Sequence, residues 1–555
     1  NSFDSLFNAL GFTDQQQREY VLKFADAIKR PRDCFSDLLE KLQPEYSDLS
    51  KSPLMMTLLC LLSAENRLTA QATRTSLYNE LTSFMLEKAA QRMECETAEI
   101  ERTIVDPLAS VAFGCLQRDD LVITGKEFEN PETAEKAREC GFLLQESPSS
   151  SVATYTFGHK TIAEFLAARH AKTMPATERE EWLKGLHVTL NPTLVIFLFG
   201  VLKEKALGRL GNITMPGMAH GSCYALIDDR CGDSHLLLHC LHEISDPPTN
   251  DLAEAVIKNS PSYITLSEKC TSRCVGGARI LAQCKSSSQR KIHFRFKMRS
   301  SQVFTEVLQQ ISKFDHVGLV FLDECQTVNQ LNQYSTAMRA GCDDSYVDEV
   351  AILRPQIPPT DNGALQFGSL MKDMRLFLCS NAQFTMQFLE SALHMNLTIL
   401  TVEDSKMDNA CIQLMRIRLF NTNLQTLFLT DNNNTQLAQL IPVIENLNQL
   451  KHLGITLVSL DSRQKESFRN LLLKNQLKNL CLNHCVFSDE LCTSLKWESM
   501  DELRLLRIRN SRIEDSEAFM RCLRSAQHLS LHSFRLWYTT LTYPMIGILS
   551  NTVAQ

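Results

Sequence analysis

The sequence predicts an α/β protein in two unlike parts: helical modules with one small mixed unit first, then a curved stack of strand–helix units. Three observations carry this. Apolar residues at helical spacing, mixed with charges, fill most of the first 290 residues. A short run of β-formers follows a Ser-rich break within them. From residue 317 onward, one apolar pattern recurs about every 26 positions.

The bulk properties set the frame. A chain of 555 residues exceeds what one core supports, so roughly two to four domains are expected. Apolar content of 44% and charged content of 22% are those of an ordinary globular protein. A net charge of −7 gives no reason to expect nucleic acid or an anionic membrane as the main partner. The 19 cysteines are scattered, unlike a secreted disulfide scaffold, which points to a reducing, cytoplasmic setting. The longest apolar runs, 54–62 and 193–202, reach about half a membrane span and suit buried helices, so no membrane span is expected. The chain opens on Asn1 rather than Met, and it is expected to be a piece of a longer protein.

The repeat is the strongest signal. The pattern L-x-x-L-x-L-x-x-[NCS], with any apolar residue at L, appears as Leu424, Leu427, Leu429 and Asn432. It returns as Leu450, Leu453 and Ile455, as Leu477, Leu480, Leu482 and Cys485, and as Leu503, Leu506, Ile508 and Ser511. Leu397, Leu400 and Val402 keep the phase upstream, and Ala526, Leu529 and Leu531 form a weaker last copy. Starts at 397, 424, 450, 477, 503 and 526 are spaced by 27, 26, 27, 26 and 23, within the leucine-rich repeat range. The apolar positions of each copy face a shared core. The residues between them face outward on a concave parallel sheet, and segments such as 462–475 return as helices. No copy can bury its apolar face alone, so stacking into a horseshoe-shaped solenoid is obligatory.

The same phase disposes of an apparent ATPase signature. Residues 316–326 read HVGLVFLDECQ, like a magnesium-holding strand of a P-loop enzyme. Carried backwards, the repeat lands on Leu376, Leu378 and Asn381, on Val347, Val350 and Ile352, and then on Val317, Val320, Leu322 and Cys325. No G-x-x-x-x-G-K-[ST] motif precedes the stretch, and Gly125-Lys126 and Gly158-His159-Lys160-Thr161 lack the paired-glycine spacing that cradles phosphates. Asp323 is therefore expected at the end of a repeat strand, and no catalytic residue is assigned; the chain is not expected to be an enzyme.

In the first half, 14–42 and 71–95 read as amphipathic helices, the second with a start signal at Thr75. Leu121-Val-Ile-Thr is a short apolar run, SPSSSVAT (147–154) a loop, Thr154-Tyr-Thr-Phe a strand, and Lys160–Lys172 a helix. That order suits a winged-helix unit. Residues 176–285 return to helices, with DPPTND (246–251) as a breaker.

Several of these segments carry a family resemblance. GFTDQQQREYVLKF (11–24), SPLMMTLLCLL (52–62), LYNELTSFMLEKAAQR (77–92), TFGHKTIAEFLAARH (156–170), NPTLVIFLFGVL (191–202) and LLLHCLHE (236–243) resemble segments of NACHT-type NOD-like receptors, in that family's order. The resemblance implies the end of helical domain 1 over 1–70, a winged-helix domain over 71–175, helical domain 2 over 176–290 and leucine-rich repeats over 291–555. It implies a nucleotide-binding domain ahead of Asn1, so that ATP or ADP belongs to the intact parent and no cofactor to this fragment. His159 then matches the winged-helix histidine that contacts the β-phosphate of bound ADP, and Pro53 the proline that packs on adenine. Lys51 stands where the family usually has glycine. Both residues also have plain structural readings, His159 as the cap of the helix after it and Pro53 as the first residue of the helix it opens.

Two further sets stand out. His235 and His239 lie one helical turn apart, with Cys231, His242 and CTSRC (270–274) able to add ligands, but the Leu-rich surroundings favour a core helix with polar edges, and no metal site is assigned. On the repeats, the ligand-facing positions are expected at Asp323, Glu349, Phe377, Glu403, Phe428, Arg507, Arg509, His528 and His532, acids early and cations late, a charge gradient that can orient a partner. The resemblance implies a sensing and autoinhibitory part of an innate immune receptor: a protein or pathogen-derived ligand on the repeats, and self-association in the parent. The alternative is a constitutive protein-binding scaffold resembling a ribonuclease inhibitor.

Overall fold

The computed structural model describes residues 11–42, 46, 49–68, 73–146, 153–186, 191–203, 206, 234–244, 249–267, 270–284, 291–297, 302–314, 317–340, 349–358, 360–366, 373–379, 382–403, 409–430, 437–457, 460–474, 476–495, 497–525, 529, 531–537 and 539. They divide into two compact units. One comprises described residues before 222 with those of 228–261 and 269–290; the other comprises those of 262–268 and 291–555.

The first unit is mostly helical, and its helices start where local chemistry supplies a cap. Thr13 and Gln16 close a reciprocal capping box on the helix Asp14–Ala27. Ser52 caps Pro53–Ala64, with proline at the first helical position, where its missing N–H costs nothing. The helix Arg74–Met93 takes Thr73 as its cap, two residues ahead of the expected start, because the Thr73 hydroxyl accepts the Ser76 amide at 3.0 Å. Helices Asp106–Arg118 and Lys160–Thr173 frame a three-stranded antiparallel sheet of order β1-β3-β2. Its strands are β1 (Val122–Thr124), β2 (Leu143–Gln145) and β3 (Thr154–Phe157). Strand β2 escaped the sequence reading because three residues cannot show a period-two pattern. Most of the Ser-rich break lies outside the described residues. Tyr78, Phe165 and Phe197 meet at centroid distances of 4.8–5.6 Å in the core.

The second unit is an α/β body around one parallel sheet. Eleven strands follow one another across it in chain order: β4 (Tyr263–Leu266), β5 (Ile292–Lys297), β6 (Val317–Asp323), β7 (Glu349–Leu353), β8 (Asp373–Cys379), β9 (Leu397–Glu403), β10 (Thr426–Thr430), β11 (His452–Ile455), β12 (Asn479–Asn483), β14 (Leu505–Arg509) and β16 (Ser533–Trp537). The strands β13 (Val486–Phe487) and β15 (Arg512–Ile513) form a separate short pair. Parallel neighbours need a crossover between them. Helices supply it at Gln302–Ile311, Val328–Ala340, Asn409–Arg418, Ser462–Leu473 and Ser516–Ser525, among others.

Register explains the leucine pattern. Leu376, Leu400, Leu427, Leu453, Leu480 and Leu506 stand in one cross-strand row, and Leu378, Val402, Leu429, Ile455, Leu482 and Ile508 in another. All twelve are buried. Each contributes about 1.5–3 kcal/mol by leaving water.

The repeat reading needs correction at both ends. Ala526 lies outside the described residues, and the last described strand is not built on Leu529 and Leu531; it begins at Ser533, and Phe534 and Leu536 take the core register opposite Leu506 and Ile508. Shifting the strand later lets an aromatic and a leucine fill the row. At the front, the sheet begins with β4 and β5, before the earliest copy found by periodicity. Among the described residues, no helix is long and apolar enough to cross a membrane.

Candidate functional site

His159 is placed by the end of β3 and the start of the helix Lys160–Thr173. As the residue capping that helix, it has extended backbone, and its Nδ1 accepts the Thr161 amide at 3.3 Å. The neutral ring therefore carries its proton on Nε2. Thr161 Oγ1 lies 2.8 Å from the same Nδ1 and also contacts the Tyr78 hydroxyl, which in turn reaches Met55 Sδ at 3.7 Å. Met55 is in the helix opened by Pro53. Leu54 of that helix packs beside Gly158, its Cδ2 at ordinary contact distance, 3.5 Å, from where a Cβ would stand. Pro53 and Leu54 are exposed and His159 is half-buried. Burial pushes the His159 imidazole below its ordinary pKa and pushes the Tyr78 hydroxyl up to about 12. The two residues that the resemblance singled out thus flank one surface, 106 positions apart in sequence (159 − 53). Both structural readings hold as well: the histidine caps and the proline opens.

The sheet face opposite the leucines holds the other candidates. Asp323, Phe377, Phe428 and Arg507 fall in one cross-strand row, continued by Arg535. Glu403 and Arg509 stand two residues further along their strands, and both are partly exposed. Glu349 is elsewhere, four residues before the row at the start of β7. His532 precedes β16 and is exposed; His528 lies outside the described residues.

Two of these positions do not present a side chain for a ligand. Asp323 is fully buried, with Arg295 and Arg354 on its carboxylate. Pairing with two cations takes Asp323 out of the acidic end of the expected gradient, while Glu403 remains partly exposed there. Phe428 is 6% exposed because its ring lies over Gly454, where a Cβ would come 2.1 Å from Phe428 Cδ1. The cationic end persists: Arg507 and Arg509 are partly exposed, and Arg535, a position that the misplaced last copy concealed, is exposed.

A third group lies in the first unit. His235, Cys270 and Cys274 offer ligand atoms that all lie within 4.8 Å of one another. His239 joins them, with Nε2 3.4 Å from Cys274 Sγ. Cys231 lies outside the described residues. His242 points to Gly276 instead, where a Cβ would meet its Nδ1 at 2.1 Å. No protein-family model matches the chain, and no curated protein matches it.

Proposed function

We propose that the chain is the regulatory and sensing part of a NOD-like receptor, in which the segment around His159 restrains a nucleotide-dependent switch and the sheet face around Arg507 meets a ligand. The observation that carries the reading is the joining of the FGHKTIAEFLAA segment to the Pro53 helix through Thr161, Tyr78 and Met55. The same chain bears strand–helix units at leucine-rich-repeat spacing, with apolar rows in register, which supports a solenoid of the horseshoe type. The three-stranded sheet with its flanking helices supports a winged-helix assignment for the middle segment.

The residues fit part of a nucleotide site and not the whole. An Nε2–H donor suits a phosphate oxygen, and an exposed proline ring suits an adenine face. A bound ADP would supply the negative charge that holds the His159 segment closed. The phosphate cradle belongs to a nucleotide-binding domain in the parent receptor. Release of the histidine from the nucleotide would then free the module to swing. A ligand on the repeats drives the switch only by the difference in its affinity for the open and closed states.

The test is His159→Leu in the parent receptor carrying its nucleotide-binding domain. The substitution is expected to lower retained ADP and raise basal self-association, read by light scattering. An unchanged monomer fraction with unchanged nucleotide retention overturns the reading.

A further inference from the structure

Among the described residues, the group at His235 is a chemistry-bearing cluster that this reading leaves unused. It is assembled from two segments. The helix His235–Ile244 puts His235 and His239 one turn apart on one face. The helix Ser272–Gln283 begins just after Cys270, is capped by Thr271, and carries Cys274 at its third position. Close approach of the two helices depends on Gly277, because a Cβ there would come 2.0 Å from the Leu238 carbonyl oxygen. A larger residue would hold the thiols away from the imidazoles.

We infer that His235, His239, Cys270 and Cys274 form a structural zinc site that clips these two helices together. The sequence spacings, H-x₃-H and C-x₃-C, fall within those of structural zinc sites. Three of the ligand atoms, from His235, Cys270 and Cys274, lie within 4.8 Å of one another, and His239 reaches the sulfur of Cys274. Zinc–sulfur and zinc–nitrogen bonds of about 2.3 and 2.0–2.1 Å imply sulfur–nitrogen edges of about 3.6 Å. Cys274 Sγ lies 3.5 Å from His235 Nδ1 and 3.4 Å from His239 Nε2. His239 Nε2 is also 3.1 Å from Thr271 Oγ1, so ligation exchanges that contact for the metal. Cys274 is fully buried, His235 and Cys270 are nearly so, and His239 is partly exposed at the edge of the group.

The surroundings favour thiolate. The Thr271 amide donates to Cys274 Sγ at 3.4 Å, an outer contact of the sort that steadies a metal-bound sulfur. Cys274 also sits in the first turn of a twelve-residue helix, at the positive end of its dipole. Zinc, with its preference for sulfur and imidazole nitrogen in a closed tetrahedron, is the metal this set selects.

The experiment measures metal in the purified full chain, prepared with zinc and without chelator. About one zinc per chain is expected, falling at least about tenfold in Cys274→Ser and in His235→Ala, and unchanged in Cys34→Ser, which alters an exposed thiol. Replacement of zinc by cobalt(II) in the unaltered chain should give a thiolate charge-transfer band and tetrahedral visible bands. That readout decides the matter if the variants fail to fold. Zinc below a tenth of an equivalent together with no thiolate–cobalt band, or a Cys270–Cys274 disulfide found by mass spectrometry in the reduced preparation, overturns the inference.

Discussion

Arg354 grips Asp323 with two nitrogens, Nε on Oδ1 at 3.0 Å and Nη2 on Oδ2 at 2.7 Å, although the two residues stand 31 positions apart at the ends of neighbouring strands. Arg295, from the strand on the other side, donates Nε to Oδ2 at 3.1 Å. One buried carboxylate therefore ties three successive strands. Removing it leaves two guanidinium groups short of their counter-charge, which typically costs about 3–5 kcal/mol. Asp323→Asn is expected to lower the denaturant midpoint accordingly. Arg354 has φ of 41°, so Arg354→Gly keeps the left-handed backbone while deleting the charge. Its smaller expected loss separates ion pairing from strain. Equal stability of Asp323→Asn and the parent chain would remove the structural role assigned to the carboxylate.

Gly454 and Phe428 make a second dependent pair. The ring occupies the space that any side chain at 454 would need. Gly454→Ala should overpack the face and cost about 1–3 kcal/mol. Phe428→Ala removes the obstruction, so the double variant should be more stable than the sum of the single losses implies. Additive losses in a double-mutant cycle would mean that the ring moves aside freely.

These pairs mark the boundary of what the sequence discloses. Period and phase were legible from Val320 to Ile508, because apolar residues recurring at one spacing have one economical explanation. The last strand was not, since Phe534 and Leu536 fill the row without copying the leucine spelling. Outward positions were legible as positions and not as surfaces. Whether Asp323 meets a ligand depends on Arg295 and Arg354, which periodicity treats as unrelated residues. His159 and Pro53 were reached through resemblance, and their shared surface rests on Thr161, Tyr78 and Met55, whose types carry no such message. The Cys–His group had the right spacings in two separate pieces, and it takes the packing of the helices at Gly277 to bring Cys274 against His235 and His239.

Glu243 offers a test of the first unit. Its buried carboxylate accepts the backbone amides of Arg74 at 2.7 Å and Thr75 at 2.9 Å, capping the helix Arg74–Met93 from a segment about 170 residues away in sequence. Charge-assisted bonds of this kind contribute about 1.5–3 kcal/mol each to stability. Glu243→Gln should lose part of that, and Glu243→Ala more, because the amides are then left without an acceptor. Hydrogen exchange at 74 and 75 should quicken in both variants. Protection equal to that of the parent chain would show that another group caps the helix.

His159 predicts a direction for pH. Burial lowers its pKa from the ordinary 6.5, so the folded chain binds fewer protons there than the unfolded chain across the interval between the two values. Stability then rises with pH: the contribution is fully present above about 6.5 and is lost as pH falls through the lower folded value. His170, His293 and His452 are shifted downward too, so the chain as a whole should weaken on acidification with the same sign. His159→Asn keeps an acceptor for the Thr161 amide while removing the titration. The variant should show a shallower fall in urea midpoint between about pH 7.5 and 5.5, with little change at the upper end. Parallel curves would mean that His159 is solvated in the folded chain, and the capping bond to Thr161 would then be the first interaction to abandon.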